Sequence, residues 1–358
     1  SGDRRWFRLW VMVSAETKYG DCFPKNGAQI EGKSDTYTVV KLLGSGGFGA
    51  VFQVHSNTTN ELYAAKCEAY NHPRKVLLME CKVLRGAELL NSPHFCKIYE
   101  VGKVEGKFRF MITTMIGSTL HTLRMNRMDK RFSLGTSLRM AQQCLEALQD
   151  MHTIGFIHRD IKPSNFGIGR PETNDYHIVY VIDFGLSRQF ANTDKDIRKP
   201  RLSAPFRGTP RYASLNCHRK REQSPKDDIE SWFYMIVEWT AGSLPWRHFQ
   251  ACERDQILLM KEDARKPIAM NFLLEKCPKR HYEKIFKYID TLVYTSIPDY
   301  AYIYFLLKHA AKANHIEPNE PLDYDPFRPY HGTETPLSSL PTGTIVEFIG
   351  QGYTTEIK

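Results

Sequence analysis

The sequence predicts a two-lobed α+β protein, with a β-rich N-terminal lobe carrying one helix and a larger, mainly α-helical C-terminal lobe. Three observations carry this. Between residues 34 and about 115, short β-prone runs surround a glycine turn, with one helical period among them. From Phe132 onward the apolar residues recur at helical spacing. The chain of 358 residues is also too long for one small core and suits two lobes or two domains.

The elements follow in order. Tyr37–Leu43 and Ala50–Val54 are β-prone and flank the glycines, and Leu62–Lys66 continues the sheet. Lys75–Leu90 turns helical, with Leu77, Glu80, Leu84 and Ala87 on one face. Leu138, Ala141, Leu145 and Leu148 form a core-facing stripe that ends near Gly155, a helix-stop residue. Ile229–Thr240 is apolar and aromatic nearly all round, as a central buried helix should be. Helical stretches run to about Ala313. This divides the chain into an extension (1–33), a body (34–326, its lobes 34–115 and 117–326) and a Pro-, Gly-, Ser- and Thr-rich tail (327–358), expected to be poorly tied. The extension is expected to pack an apolar strip onto the body. No apolar run is long enough for a membrane span, and no membrane partner is expected.

The net charge of +9 is concentrated. Eleven Lys/Arg face four acids between Asp183 and Lys226. No aromatic stacking platform accompanies them, so they are read as a rim for acidic or phosphorylated substrate, and no nucleic acid is expected. The eight cysteines form no C-x-x-C pair; as buried thiols they suit a reducing compartment. A cytoplasmic location, with nuclear access open, is the expectation.

His158-Arg159-Asp160-Ile161-Lys162-Pro163-Ser164-Asn165, with Asp183-Phe184-Gly185 after it, holds the parts of a phosphoryl-transfer site. Asp160 is placed to accept a hydroxyl proton and Lys162 to meet the transferring phosphate. Asn165 and Asp183 are placed to hold Mg²⁺. Gly44-Ser45-Gly46-Gly47-Phe48-Gly49-Ala50-Val51 fits G-x-G-x-x-G-x-V. A dinucleotide fold would need a helix after these glycines; β-prone residues follow instead, which favours a hairpin lying over nucleotide phosphates. Lys66 closes a strand and Glu80 lies in the next helix, so the carboxylate can fix a lysine that holds α- and β-phosphates of ATP. Ala64 and Val51 would roof the adenine. Lysine two places after Asp160 favours Ser/Thr acceptors.

Together these motifs resemble eukaryotic protein kinases over residues 34 to about 326, which implies the bilobal protein kinase fold. Arg211-Tyr212-Ala213-Ser214-Leu215-Asn216 stands where most kinases carry Ala-Pro-Glu. With Gly242-Ser243-Leu244-Pro245-Trp246, it is similar to the casein kinase 1 superfamily. Gly155–His158, Asn165-Phe166, Asp183–Phe190, Phe206–Thr209, Val237–Trp239 and Leu244–Arg247 resemble its tau-tubulin kinase branch.

The resemblance implies that Asp228 anchors the catalytic-loop backbone. It also implies that Arg211 helps bind a phosphate already on the substrate, and that activity needs no activation-loop phosphorylation; Arg207 and Arg211 together could hold an anion. Three positions depart from the pattern. Thr113 aligns with the usually bulky gatekeeper, with Thr114 and Ile116 following it in the ATP site. Gly167 stands where the adenine floor is normally larger. The second basic position falls in the mixed-charge segment Cys252–Ile257. The reading is therefore a monomeric Ser/Thr protein kinase using ATP and Mg²⁺ on acidic, phosphorylated or cytoskeletal proteins. The alternative is a pseudokinase, a nucleotide-binding scaffold; phosphorylation of a small molecule has no pocket signature in the sequence.

Overall fold

Side chains alternate along the N-terminal strands, and that alternation builds the first layer. In β3 (Gly49–Ser56) Ala50, Phe52 and Val54 point inward while Val51, Gln53 and His55 do not. A computed structural model describes residues 22–47, 49–192 and 196–328. Phe48, the extension up to residue 21 and the tail from 329 lie outside them.

Strands β1 (Gln29–Glu31), β2 (Thr36–Gly46), β3, β4 (Leu62–Ala69), β5 (Ile98–Val104) and β6 (Phe108–Thr114) form one antiparallel sheet in the order β1-β2-β3-β4-β6-β5. The sheet therefore begins within the stretch set aside as an extension. Ile30, fully buried, packs with Tyr37, Val39, Phe52, Val54, Phe108 and Phe110 in the sheet's own core.

Helix α1 (Val76–Leu89) buries Leu77, Glu80, Leu84 and Ala87, the predicted face. Lys75, its N-cap, supplies no side-chain bond. Glu68 of β4 caps it instead, accepting from Val76 N at 2.6 Å and Leu77 N at 3.1 Å. Two orphan amides are thereby satisfied from the strand that carries Lys66, fixing helix and strand to one another.

The second lobe is built on α2 (Leu120–Asn126), α3 (Leu134–Thr153), α4 (Leu215–His218), α5 (Pro225–Ala241), α6 (Arg254–Asp263), α7 (Pro267–Leu273), α8 (Lys279–Thr291) and α9 (Tyr300–Ala313). The predicted stripe of α3 is buried, and Gly155 follows that helix at φ +82°, the left-handed turn that stops it. Helix α5 is buried from Ile229 to Thr240, including Trp232, Trp239 and Glu238. Two short antiparallel strand pairs complete the lobe: β7 (Phe156–Ile157) with β10 (Arg188–Gln189), and β8 (Phe166–Ile168) with β9 (Val179–Val181). They carry the catalytic-loop motif and Asp183 to the junction of the lobes.

Candidate active site

The glycine motif forms the β2–β3 hairpin, pairing Gly44 with Val51, Ser45 with Ala50 and Gly46 with Gly49. At Gly49 the backbone has φ +149°, and a Cβ there would sit 2.0 Å from the Cys67 carbonyl oxygen. Only glycine fits. Below the hairpin is a cleft of about 580 Å³, lined by Gly44, Ser45, Gly46, Gly49, Val51, Ala64, Lys66, Glu80, Thr113, Thr114, Ile116, Asn165 and Asp183. All of these were singled out in the sequence. Leu43, Met115, Val181 and Ile182 also line it, and no motif marked them. Beyond Thr113 the cleft continues to Leu84, Cys96, Met111 and Phe184, as a small residue at 113 predicts. The space that a side chain at Gly167 would need is held by Ile116, whose Cδ1 lies 2.6 Å from where its Cβ would be. Among the described residues, no protein oxygen accepts from the Ile116 N–H.

Lys66 Nζ donates to Glu80 Oε1 and lies 3.4 Å from Asp183 Oδ1. Burial works against its charge, but Glu80 and then Asp183 outweigh it and hold the ammonium above its ordinary value. Asp183 is itself held below the usual carboxylate range, since Lys66, His158 and Lys162 overcome its burial. Its backbone is left-handed (φ 66°), and Phe184 beyond it stacks on Phe95 at 5.8 Å. Asn165 donates to the Asp160 carbonyl oxygen at 2.8 Å, and no described group donates to its Oδ1. An ionised carboxylate and a spare amide oxygen facing one cleft are hard donors of the kind Mg²⁺ takes.

Asp160 is bracketed. Lys162 Nζ donates to Oδ2 at 2.6 Å and Thr209 Oγ1 to Oδ1 at 2.8 Å. Thr209 appeared in the sequence only within a family motif, and its contact with Asp160 was not anticipated. Asp228 of α5 accepts from His158 N at 2.7 Å, Arg159 N at 2.8 Å and His152 Nε2 at 2.9 Å. Burial raises its pKa, but the His152 hydrogen bond and the nearby imidazoles more than reverse this.

The basic rim differs from its reading. Arg207 and Arg211 have different neighbours. Arg211 is drawn to Glu238, fully buried, at 3.5 Å, alongside Arg124 at 3.4 Å and the Tyr212 hydroxyl at 2.5 Å. Arg207 feels the charges of Arg74, Arg201 and Arg188 instead. Much of the positive count is also spent internally, with Arg188 and Arg201 on Glu222, Arg219 on Glu262 and Lys226 on Asp227 and Glu230. All eight cysteines are free thiols.

Residues 37–292 match the protein kinase domain family. The chain is a protein kinase domain. A probable serine/threonine-protein kinase of Dictyostelium discoideum is 34% identical over 299 residues, 84% of this chain and 58% of its own length. The serine/threonine-protein kinase spe-6 of Caenorhabditis elegans is 33% identical over 305 residues, 84% of this chain and 79% of its own. Casein kinase I homolog 3 of Schizosaccharomyces pombe is 31% identical over 268 residues, 75% of this chain and 60% of its own. The kinase domain thus spans well under two thirds of two of these relatives and belongs with casein kinase 1-related proteins. No helix among the described residues is long and apolar enough to cross a membrane.

Proposed function

We propose that this kinase domain transfers the γ-phosphoryl group of ATP to serine and threonine hydroxyls of proteins. The observation that carries the reading is Asp160, held between Lys162 and Thr209 and joined through Asn165 to the cleft where Lys66, Glu80 and Asp183 converge. Asp160 orients the acceptor hydroxyl and takes its proton. Lys162 then meets the charge that develops on the transferring group. Lys66, steadied by Glu80, holds the α- and β-phosphates, while the Ile116 N–H and the roof of Val51 and Ala64 receive the adenine. Asn165 and Asp183 would hold Mg²⁺, which supplies neutralisation of phosphate charge. A scaffold without activity has no support here, because Lys66 and Glu80 are joined and Asp183 faces the cleft.

For the substrate, the part-exposed side chain of Arg211 beside the buried Glu238 supports recognition there. Arg211 and Arg247 are both close enough to His121 to press its pKa down, after burial and Arg124. That cationic edge suits acidic or phosphorylated residues near the acceptor. The tau-tubulin branch, and with it a cytoskeletal substrate, rests on the quoted motifs.

The deciding experiment is transfer from MgATP onto a Ser/Thr peptide library, primed and unprimed, with Asp160→Asn alongside. Transfer by the wild type, its loss in Asp160→Asn and retained ATP binding are expected. Transfer surviving in that variant would remove Asp160 from its role. Arg211→Glu should raise KM for acidic or primed peptides, and equal KM values would end the proposed substrate edge.

A further inference from the structure

Five guanidiniums meet at the segment that follows Asp183. Arg159 precedes the catalytic Asp160, Arg188 lies on β10, Arg201 and Arg207 lie on the loop leading to Thr209, and Arg74 comes from the first lobe just before α1. Such crowding is costly. Arg159 is pulled down to about 10, first by its burial and then by Arg207 and Arg188. One carboxylate enters the cluster. Glu222 is buried; Arg188 Nε lies 3.5 Å from its Oε1, Arg201 Nη2 donates to Oε1 at 3.0 Å, and Arg201 Nε donates to Oε2. Arg159 also ties itself to this segment, donating to the Leu186 carbonyl oxygen at 2.7 Å and to that of Ser187 at 3.4 Å.

Flexible active-site loops in kinases are commonly ordered by a phosphate that gathers arginines. We propose that Glu222 is a permanent anion of this kind, holding the stretches that carry Arg188 and Arg201 in their working position. The carboxylate is a positioning group. It touches no reacting atom, and it acts through Arg188 and Arg201 on Asp183 at one end and on Thr209 and Asp160 at the other. Glu222 lies two residues before Ser224, the N-cap of α5, whose N–H donates to the Asp227 carboxylate at 2.8 Å. The anion is thus fixed to the most buried helix of the molecule. An unmodified chain has its loop clamp from the moment it folds.

The proposal rests on the kinase reading, and its test separates the two. In the full chain, Glu222→Ala should lower kcat on the order of tenfold, within the range couplings between two positions commonly reach, while KM for ATP stays unchanged. Acetate, compared with chloride at equal ionic strength, should restore part of that kcat by entering the vacated position. It should restore none in the wild type or in Glu222→Gln, where the amide fills the space. Independently of activity, trypsin cleavage between Arg198 and Arg207, located by mass spectrometry, should accelerate in Glu222→Ala and slow again with acetate. Cleavage at the wild-type rate overturns the clamp even if the chain transfers no phosphate. Equal rescue by chloride and acetate overturns it too. Should the alanine variant not fold, Glu222→Gln decides, because charge is lost at constant volume. Lower kcat and faster cleavage support the clamp, and wild-type values in both overturn it.

Discussion

Asp228→Asn tests how the catalytic loop is held. In the wild type one carboxylate accepts three N–H groups, two at Oδ2 (His158 N and His152 Nε2) and one at Oδ1 (Arg159 N). An asparagine has a single acceptor oxygen. Its better orientation keeps the Oδ2 pair and turns the amide NH₂ toward Arg159 N, leaving that donor unpaired in a buried site. An unpaired buried donor costs about 1–3 kcal/mol, and reducing two charge-assisted bonds to neutral ones costs roughly 1 kcal/mol more each, so about 3–5 kcal/mol is expected. For a domain of this size that is a fall in Tm of roughly 6–20 °C. Because Arg159 N is the peptide next to Asp160, kcat should fall about tenfold or more while ATP affinity is kept. The pH dependence adds a second check. The Asp228 carboxyl is held below its ordinary value, so its stabilising effect is complete above the usual carboxylate range and fades as pH falls through the depressed folded value. The stability gap between wild type and variant, from urea unfolding, should be widest near neutrality and shrink below about pH 4. A gap that stays constant into acid, or a Tm loss under about 2 °C, would refute the anchoring argument.

Three further outcomes follow from the same geometry. Lys261 is fully buried and donates to the carbonyls of Pro210 (2.9 Å) and Ala213, and burial pushes its pKa down to about 7. The unfolded chain therefore binds more protons above that value, and stability should rise from pH 7 toward 10 by up to about 1.4 kcal/mol per pH unit. Lys261→Met should flatten that slope in urea titrations, and an unchanged slope would show that the amine does not titrate there. Thr113→Met should close the rear of the cleft, weakening inhibitors that reach Met111 and Leu84 at least about tenfold while KM for ATP holds, as inhibition curves will show. Gly49→Ala should cost about 2–3 kcal/mol or displace the hairpin and raise KM for ATP, since a Cβ has no room beside the Cys67 carbonyl; unaltered melting and KM would contradict the hairpin geometry.

The parts that are local in sequence were legible in it. Lys66, Glu80, Asp160, Asn165 and Asp183 each sit in a short motif whose spacing reflects one strand, one helix or one tight loop; all but Asp160 line the cleft, and Asp160 is tied to it by Asn165, which donates to its carbonyl oxygen. What escaped depends on partners far along the chain. A charge count treated the segment from Asp183 to Lys226 as an open basic rim, because Glu238 and Glu262, which pair with Arg211 and Arg219, lie outside it. Strand β1, three residues long, is too short to show alternation, so the body seemed to begin after it. Thr209 carries no signal of its own; its hydrogen bond to Asp160 exists only once the loop folds back. Glu68 lies just past the strand read in the sequence and carries no signal there, since its capping of α1 joins two elements that no local pattern couples.

Helix α5 explains why those distant partners are so consistent. Its apolar residues drive it into the centre of the lobe, yet it carries four buried carboxylates, and each leaves toward a different part of the site. Asp228 takes the catalytic-loop amides, and Asp227 accepts from Ser214 at 2.7 Å at the end of the substrate loop. Glu230 accepts from Leu215 N at 3.1 Å and pairs with Arg265 at 2.9 Å, and Glu238 gathers Arg124, Arg211 and Tyr212. Buried charges are expensive unless fully partnered, so each one dictates where its partners must be. A rigid apolar helix with fixed anions along its length therefore acts as a jig. Loops with little packing of their own are registered against it, and the positions of Asp160, Thr209 and Arg211 relative to one another are inherited from the spacing of Asp227, Asp228 and Glu238 on one helix. On this view replacing an α5 carboxylate should disturb the one loop it holds and leave the others in place. Ser214→Ala, which removes the Asp227 contact and the α4 cap bond that Cys217 N donates to the same hydroxyl at 3.2 Å, should raise peptide KM while leaving ATP affinity and the Asp228-dependent acid limb unchanged. A parallel loss of ATP affinity would mean that the loops are coupled to each other and not registered one by one.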